Sequence, residues 1–316
     1  MSLGKTGLVL DGGGAKCVFQ IGALLAFEER GIKFSKVQGV SAGCLNGAKF
    51  VESGAQNLKK IWMDLDKRGY QSLFGSWFFM VRHSFSNALY NDAELNQLVN
   101  QWVDVNGLLD SETEFELVVR NELTEKIEIF NTRRFKEESG NPEVFRRLIK
   151  ASASLPGGFS PENINGQLYS DGCEFDLDSF ADFDTVFFVN SDQPLEKVDP
   201  DKMAKTLANM HFSIRTLKLA SALIDRIAAE KIKNFVLMNH VRLVEPDEKA
   251  AIFPIINRIA KFVENLIGPS EKRLIPISPS INIPTLRLDY WGPGDFVKSI
   301  ENGYQQTTDI LDRLGS

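Results

Sequence analysis

The chain has 316 residues, of which 43% are hydrophobic and 25% are charged, and its net charge is −6. This composition is typical of a soluble globular protein, and the lack of a basic excess argues against nucleic acid as a partner. No segment contains the ~18–20 consecutive apolar residues that are needed to cross a bilayer. The N-terminal residues lack the charged region and cleavage site of a signal peptide, so we expect a cytoplasmic protein.

The cysteines and histidines argue against a disulfide framework and against a metal centre. Three cysteines are too few for a set of disulfides, and no pair has the spacing of metal ligands. The three histidines are scattered along the chain and form no zinc motif. We therefore expect reduced thiols, no metal and no cofactor. The cysteines are Cys17, Cys44 and Cys173, and the histidines are His83, His211 and His240.

The first fifty residues alternate between short apolar segments and helical patterns. Residues 6–10 are predicted to form a buried strand, a run of glycines follows, and apolar residues at helical spacing then extend over 15–30. A second apolar segment, 36–40, leads into a helical pattern over 42–52. This order predicts an α/β fold with parallel strands, in which ligands bind at the carboxyl ends of the strands. Both connecting turns should therefore lie at the same edge of the sheet.

The remaining elements are expected to belong to the same domain, which spans 1–316. We expect an aromatic-rich cap at 70–90 and a helical C-terminal part at 199–316. The segment 247–268 has one apolar face, which favours packing on the core over lying on a membrane surface. The other predicted elements are a helix from Asn91 or Asp92 to about Val105, a hairpin or two neighbouring strands over 115–120 and 126–130, a helix from Pro142, strands over 167–170, 185–189 and 273–277, and helices over 199–233 and 293–314.

The segment Gly39-Val40-Ser41-Ala42-Gly43 has the Gly-x-Ser-x-Gly spacing of a nucleophile elbow. In such an elbow the serine lies on a strained turn between a strand and a helix, and the flanking glycines let the chain pack tightly. The N-terminus of the following helix also favours negative charge near the hydroxyl of Ser41. Because the same spacing arises by chance in many chains, a catalytic role for this serine requires further partners.

A run of glycines, Gly12 to Gly14, follows the first predicted strand, with Lys16 shortly after it. Successive glycines at the start of a helix can present several N–H groups to a developing oxyanion. A phosphate loop is the alternative, but the dinucleotide motif would require glycine at the position of Cys17, and a Walker A motif would end in Gly-Lys-Ser/Thr. A tight turn without a binding role accounts for one or two glycines better than for three. We therefore predict that the loop binds an oxyanion.

Asp171 is the candidate general base. None of the histidines lies in a loop that resembles a catalytic motif, whereas Asp171-Gly172 follows a short predicted strand and begins a turn. An exposed aspartate is a weak base, so this role requires burial that raises its pKa or a direct hydrogen bond to the serine. An Asp-Gly turn on the surface is the alternative for this pair taken alone.

Together these motifs resemble the patatin-like phospholipase family. The resemblance includes the order of the motifs, the separation of Ser41 from Asp171, and the segments 151–156 and 159–161 before the aspartate. It implies a three-layer α/β/α fold with a mostly parallel central sheet. It also implies that the protein is a serine acyl hydrolase that cleaves the esters of acyl lipids and makes transient contact with a membrane surface. The implied site residues are Ser41 and Asp171 as the dyad, Gly12, Gly13, Gly14 and Lys16 for the oxyanion, and Gly39, Gly43 and Gly172 as motif support.

Three positions depart from the pattern of this family. Lys16 and Cys17 stand where the family usually has Arg-Gly, so a cation is kept near the oxyanion but the bidentate geometry of arginine is lost. Cys173 stands where glycine or alanine is usual. We interpret the cysteines as small residues packed beside crowded turns, with a redox role as the alternative.

Other functions are compatible with the same motifs. An acyltransferase or thioesterase could use the same dyad with a different acceptor, and a lipid-binding protein could keep the pocket without catalysis. A Ser-His-Asp hydrolase is a further alternative, in which one of the three histidines would be essential. The segment Trp77-Phe78-Phe79-Met80 could form an apolar entrance for a lipid or be buried in the cap.

Overall fold

The computed structural model describes residues 3–69, 72, 92–156, 158–191, 242–243, 272–283, 286 and 291–315. The predicted aromatic cap, apart from Ser72, lies outside these residues, as do the predicted helices over 199–233 and 247–268. In the part of the chain that is described, no helix is both long enough and apolar enough to span a bilayer.

One sheet of nine strands organises the described residues. The strands are β1 (Thr6–Leu10), β2 (Lys36–Gly39), β3 (Glu114–Asn121), β4 (Lys126–Asn131), β5 (Glu162–Ile164), β6 (Gln167–Asp171), β7 (Thr185–Val189), β8 (Arg242–Leu243) and β9 (Arg273–Ile277). Their order is β5-β6-β3-β2-β1-β7-β9-β8, and β4 pairs with β3. The six neighbouring strands β3, β2, β1, β7, β9 and β8 are parallel to one another. Strands β4, β5 and β6 join the sheet by antiparallel pairing. The predicted mostly parallel sheet is confirmed.

The helices agree with the sequence prediction over most of the described residues. They are α1 (Val18–Glu29), α2 (Ala42–Ser53), α3 (Ala55–Arg68), α4 (Asp92–Trp102), α5 (Val105–Asp110), α6 (Thr132–Glu137), α7 (Pro142–Ser152) and α8 (Asp295–Gly315), with short 3-10 helices at Gly14–Cys17 and Asp178–Phe180. The helix predicted to reach Val105 instead ends at Trp102. A new helix then begins because the side chain of Asp104 accepts a hydrogen bond from Asn106 N at 3.1 Å.

Successive side chains of the central strands point to opposite faces of the sheet, and this divides the core into two layers. In β1, Leu8 and Leu10 face the helices, whereas Val9 faces the opposite side of the sheet. On the helical side, α1 and α8 cross closely, because a Cβ atom on Gly22 would lie 1.9 Å from the carbonyl oxygen of Ile300. Among the described residues, the opposite side is covered by an aromatic segment with its own 3-10 helix. Its buried members are Phe175, Leu177, Phe180 and Phe183.

The pairing of β3 brings two distant chain segments end to end. One edge of β3 pairs with β4, while the other edge pairs first with β2 and then with β6. Gly39 of β2 lies opposite Leu117, and Asp171 of β6 lies opposite Val119, only two residues farther along β3. Since β2 and β6 run in opposite directions, their carboxyl ends converge. The residues that follow β2 therefore meet the last residue of β6.

Candidate active site

Ser41 lies on a sharp turn between β2 and α2. Its φ is 57° and its ψ is −130°, a conformation that favours glycine and is strained for serine. The turn is crowded: a Cβ atom on Gly39 would lie 2.5 Å from the carbonyl oxygen of Gly43, and one on Gly43 would lie 2.4 Å from that of Leu10. The predicted strand–turn–helix context is confirmed. Because Ser41 directly precedes α2, the N-terminal end of that helix favours negative charge beside its hydroxyl.

The glycine loop lies against this turn. A Cβ atom on Gly12 would be 3.0 Å from Ser41 Cβ and 3.7 Å from its Oγ, so a side chain there would crowd the nucleophile. The N–H of Gly12 donates to Asp11 Oδ1 at 2.8 Å. The N–H groups of Gly13 and Gly14 donate to no other residue within the described part of the chain. These two N–H groups are therefore the candidate donors to an oxyanion, whereas the missing side chain of Gly12 lets the loop approach Ser41 closely.

Asp171 is buried at the end of β6, with 1% of its surface exposed. Its Oδ1 accepts a hydrogen bond from Cys173 N at 2.8 Å, but its Oδ2 has no hydrogen-bond partner among the described residues. Burial raises the pKa of this carboxyl from 3.8 to about 6, and the Ser41 hydroxyl and Cys173 oppose that rise. Ser41 is thus near the carboxylate, although no hydrogen bond of ordinary length and angle joins them. Such contacts often tighten only when substrate binds.

An apolar pocket opens at Ser41. Gly14 and Ala15 line it, together with residues of helices α2, α3 and α4. Of the described residues that line it, Ser41 alone carries a hydroxyl group. Its larger lining side chains are Leu45, Trp62, Leu65, Leu95, Leu98, Trp102, Leu155, Phe159 and Trp291. Three of the four tryptophans of the chain therefore line this pocket. A hydrocarbon chain bound there would be shielded from water.

The family model for patatin-like phospholipases matches residues 8–173. This match covers more than half of the 316 residues and includes both Ser41 and Asp171. The chain belongs to the patatin-like phospholipase family. The predicted family membership is therefore confirmed.

The chain is also similar to one curated relative and to two solved structures. The chain is 30% identical over 170 residues to the lysophospholipase NTE1 of Phaeosphaeria nodorum, an alignment that covers 53% of this chain and 10% of that protein. The chain thus matches about a tenth of the length of this relative. Among solved structures, VipD from Legionella pneumophila aligns with a TM-score of 0.51 and 15% identity over 99% of this chain and 67% of that chain. The type III effector protein ExoU aligns with a TM-score of 0.40 and 12% identity over 98% of this chain and 53% of that chain. The likeness to VipD shows a shared fold.

Lys16 replaces the arginine that is usual in patatin-like phospholipases. It lies in the 3-10 helix that follows the glycine loop and lines a second pocket together with Ser191 and Asn302. The apolar pocket at Ser41 is lined by Gly14 and Ala15 of the same helix, but not by Lys16. A direct contact between this lysine and the oxyanion stays a prediction.

Two of the cysteines beside the patatin-like motifs, Cys44 and Cys173, have raised thiol pKa values. Burial raises the pKa of the Cys44 thiol to about 12, and it also raises the pKa of the Cys173 thiol. A cysteine that remains protonated is a poor nucleophile. The packing interpretation is therefore favoured over a redox role at these two positions.

No group of three or more His, Cys, Asp or Glu side chains in the described ranges could hold a metal ion. His83, His211 and His240 lie outside the described residues, as does the predicted entrance over 77–80. A Ser-His-Asp arrangement therefore stays an untested alternative.

Burial of Asp171 predicts that an Asp171→Asn variant is more stable than the wild type at neutral pH. In the wild type, the pKa of the Asp171 carboxyl is higher in the folded protein than in the unfolded chain. The stability that this carboxyl contributes is therefore fully present below its unfolded pKa and is lost as pH rises through about 6. We expect the variant to gain about 1–3 kcal/mol in unfolding free energy near pH 7.5 and little near pH 4, measured by urea denaturation. The exposed Asp178→Asn should show no such difference. An equal gain at both pH values would contradict a buried, ionisable Asp171.

Proposed function

We propose that this protein is a serine acyl hydrolase that cleaves the carboxylic ester bonds of acyl lipids. In this mechanism Ser41 Oγ attacks the ester carbonyl carbon while Asp171 accepts the hydroxyl proton. The N–H groups of Gly13 and Gly14 stabilise the negative oxygen of the tetrahedral intermediate. Asp171 then returns the proton to the leaving alcohol, and an acyl-enzyme remains on Ser41.

The second half of the reaction uses the same groups. A water molecule takes the place of the alcohol, and Asp171 removes its proton as the oxygen attacks the acyl carbon. The tetrahedral intermediate again places its negative oxygen at the glycine loop. Its collapse breaks the bond to Ser41 Oγ, which regains a proton from Asp171, and the fatty acid leaves. A carboxyl group whose pKa is raised to about 6 is suited to this work, because it is ionised at neutral pH yet more basic than an exposed aspartate.

One observation supports this proposal most directly: Ser41, on its strained turn, lines an apolar pocket and lies near a buried carboxylate. A protein that only binds lipid needs the pocket but not the strained serine. The family membership and the similarity to a lysophospholipase support the same substrate class. The acyl chain would enter the pocket, so the alcohol part of the lipid would remain outside it. Transient contact with a membrane surface is part of this proposal, since acyl lipids reside there.

The pocket assignment predicts that Leu98→Phe shortens the range of acyl chains that the enzyme accepts. Leu98 lines the pocket and is 6% exposed, so a larger ring there reduces the space for a long chain. We expect kcat/KM for p-nitrophenyl laurate to fall by about tenfold or more and that for p-nitrophenyl butyrate by less than about threefold.

The matched control is Leu148→Phe, which enlarges a leucine that is 1% exposed and does not line the pocket. This control should change stability but not the ratio of the two activities. If Leu98→Phe reduced both activities equally, the acyl chain would bind elsewhere.

A further inference from the structure

A buried chain of three polar side chains connects the apolar pocket with the glycine loop. It consists of Gln20 in α1, Asn46 in α2 and Trp62 in α3, with 0%, 0% and 4% of their surfaces exposed. At one end the ring of Trp62 lines the pocket. At the other end Gln20 Nε2 donates to the carbonyl oxygen of Asp11 at 2.6 Å. Asp11 immediately precedes the glycines of the loop.

Each hydrogen bond in this chain fixes the orientation of the next group. Trp62 Nε1 donates to Asn46 Oδ1 at 2.7 Å, and an indole N–H can only donate. The amide nitrogen of Asn46 must therefore face the other way, where it donates to Gln20 Oε1 at 2.9 Å and to the carbonyl of Cys17 at 3.0 Å. This contact in turn directs Gln20 Nε2 toward the loop. Reversing either amide would place two donors or two acceptors against each other.

The last link holds the peptide at the start of the glycine loop. Gln20 Nε2 and, at 3.4 Å, Cys17 Sγ both donate to the carbonyl of Asp11. In a trans peptide the carbonyl and the following N–H point in opposite directions, so holding this oxygen fixes the N–H of Gly12. Glycines that follow have wide conformational freedom, and a loop of three needs such an anchor to keep one conformation. The φ values of Gly13 and Gly14 are 151° and 57°.

We propose that Gln20 and Asn46 are positioning residues that hold the loop Gly12–Gly14 in its oxyanion-binding conformation, and that Trp62 ties this conformation to the wall of the acyl pocket. The inference rests on the proposed hydrolase function. None of the three side chains needs to touch the reacting atoms. Their effect falls on the tetrahedral intermediate and not on substrate binding, so their loss should lower kcat without raising KM.

The test compares Gln20→Leu and Asn46→Leu with a control that loses a buried hydrogen bond elsewhere. Thr132 is 3% exposed and its Oγ1 accepts from Phe115 N at 3.0 Å, near the start of β3 and away from the loop. With p-nitrophenyl butyrate, we expect kcat to fall about 10–100-fold in both leucine variants, with KM within about threefold of the wild type. Thr132→Val should keep its kcat. Equal losses in Thr132→Val, or an unchanged kcat in the leucine variants, would overturn the proposal.

The double variant and a conservative variant sharpen this test. Because the side chains act in series, Gln20→Leu with Asn46→Leu should be no worse than the more damaging single change. Trp62→Phe keeps an aromatic ring in the pocket but removes the donor, and its kcat should fall about threefold to tenfold with KM unchanged. Multiplicative losses of kcat in the double variant would show that the two residues act independently and would overturn the proposal that they act in series.

Hydrogen–deuterium exchange tests the positioning step without any substrate. The amides of residues 12–16 should exchange at least about tenfold faster in Gln20→Leu than in the wild type, while Thr132→Val leaves them unchanged. Unchanged exchange in Gln20→Leu would overturn the proposal. If the wild type hydrolysed no ester but exchange responded as expected, the hydrolase function would fail while the anchoring of the loop would stand.

Discussion

Replacing Ser41 with alanine is expected to lower kcat for ester hydrolysis by at least about 10⁴-fold, because the change removes the nucleophile. No second hydroxyl is present among the described residues that line the pocket. The neighbouring Cys44 cannot substitute, since burial raises the pKa of its thiol to about 12 and keeps it protonated. Initial rates with p-nitrophenyl butyrate over a range of concentrations measure this effect.

The matched control is Ser53→Ala, the same substitution at the far end of α2. The hydroxyl of Ser53 donates only to the carbonyl of Lys49, at 3.3 Å within the same helix. We expect this variant to keep wild-type kcat and KM. If Ser41→Ala retained more than a few per cent of the activity while remaining folded, the hydrolysis would come from another group.

Replacing Asp171 with asparagine is expected to lower kcat by about 10³–10⁴-fold, because the amide cannot accept the proton of Ser41. The pH profile gives a second, independent result. The base acts when ionised, and burial raises the pKa of Asp171 to about 6, so wild-type kcat/KM should fall as pH decreases through about 6. The residual activity of Asp171→Asn should lack this step.

The control for this prediction is Asp178→Asn, a change at an exposed carboxylate that follows the same loop. It should keep both the rate and the pH profile of the wild type. A pH profile that still fell near pH 6 in Asp171→Asn would assign the essential ionisation to a different residue. A histidine would then be the first candidate.

The local elements of this fold could be predicted from the sequence because their signals are short-ranged. The apolar segment 6–10, the glycines after it and the strand before Ser41 occur within about fifty residues, and each matches a strand or turn in the structure. Asn165 and Gly166 form the tight turn between β5 and β6, where both residues have positive φ, and Asn-Gly is a short-range turn signal of the same kind. Helix α3 was missed although Leu58, Trp62 and Leu65 have helical spacing.

The assembly of the site depends on pairings that no local pattern encodes. Asp171 reaches Ser41 because β6 runs antiparallel to β3 and ends where β2 ends, whereas the alternation of strands and helices indicated only parallel neighbours. The pocket wall draws Trp62, Trp102 and Trp291 from three separate regions of the chain. Gln20 and Asn46 could have been noticed as polar residues on otherwise buried helical faces, but their partners are set by tertiary packing.

The most direct test of the account is the reaction of the folded protein with a fluorophosphonate ester, followed by intact-mass spectrometry and peptide mapping. A fluorophosphonate reacts with an activated serine by loss of fluoride and leaves a stable adduct on its oxygen. We predict a single adduct on Ser41, none in Ser41→Ala, and much slower formation in Asp171→Asn. An adduct on another residue, or none on the folded wild-type chain, would contradict the assignment of Ser41 as an activated nucleophile.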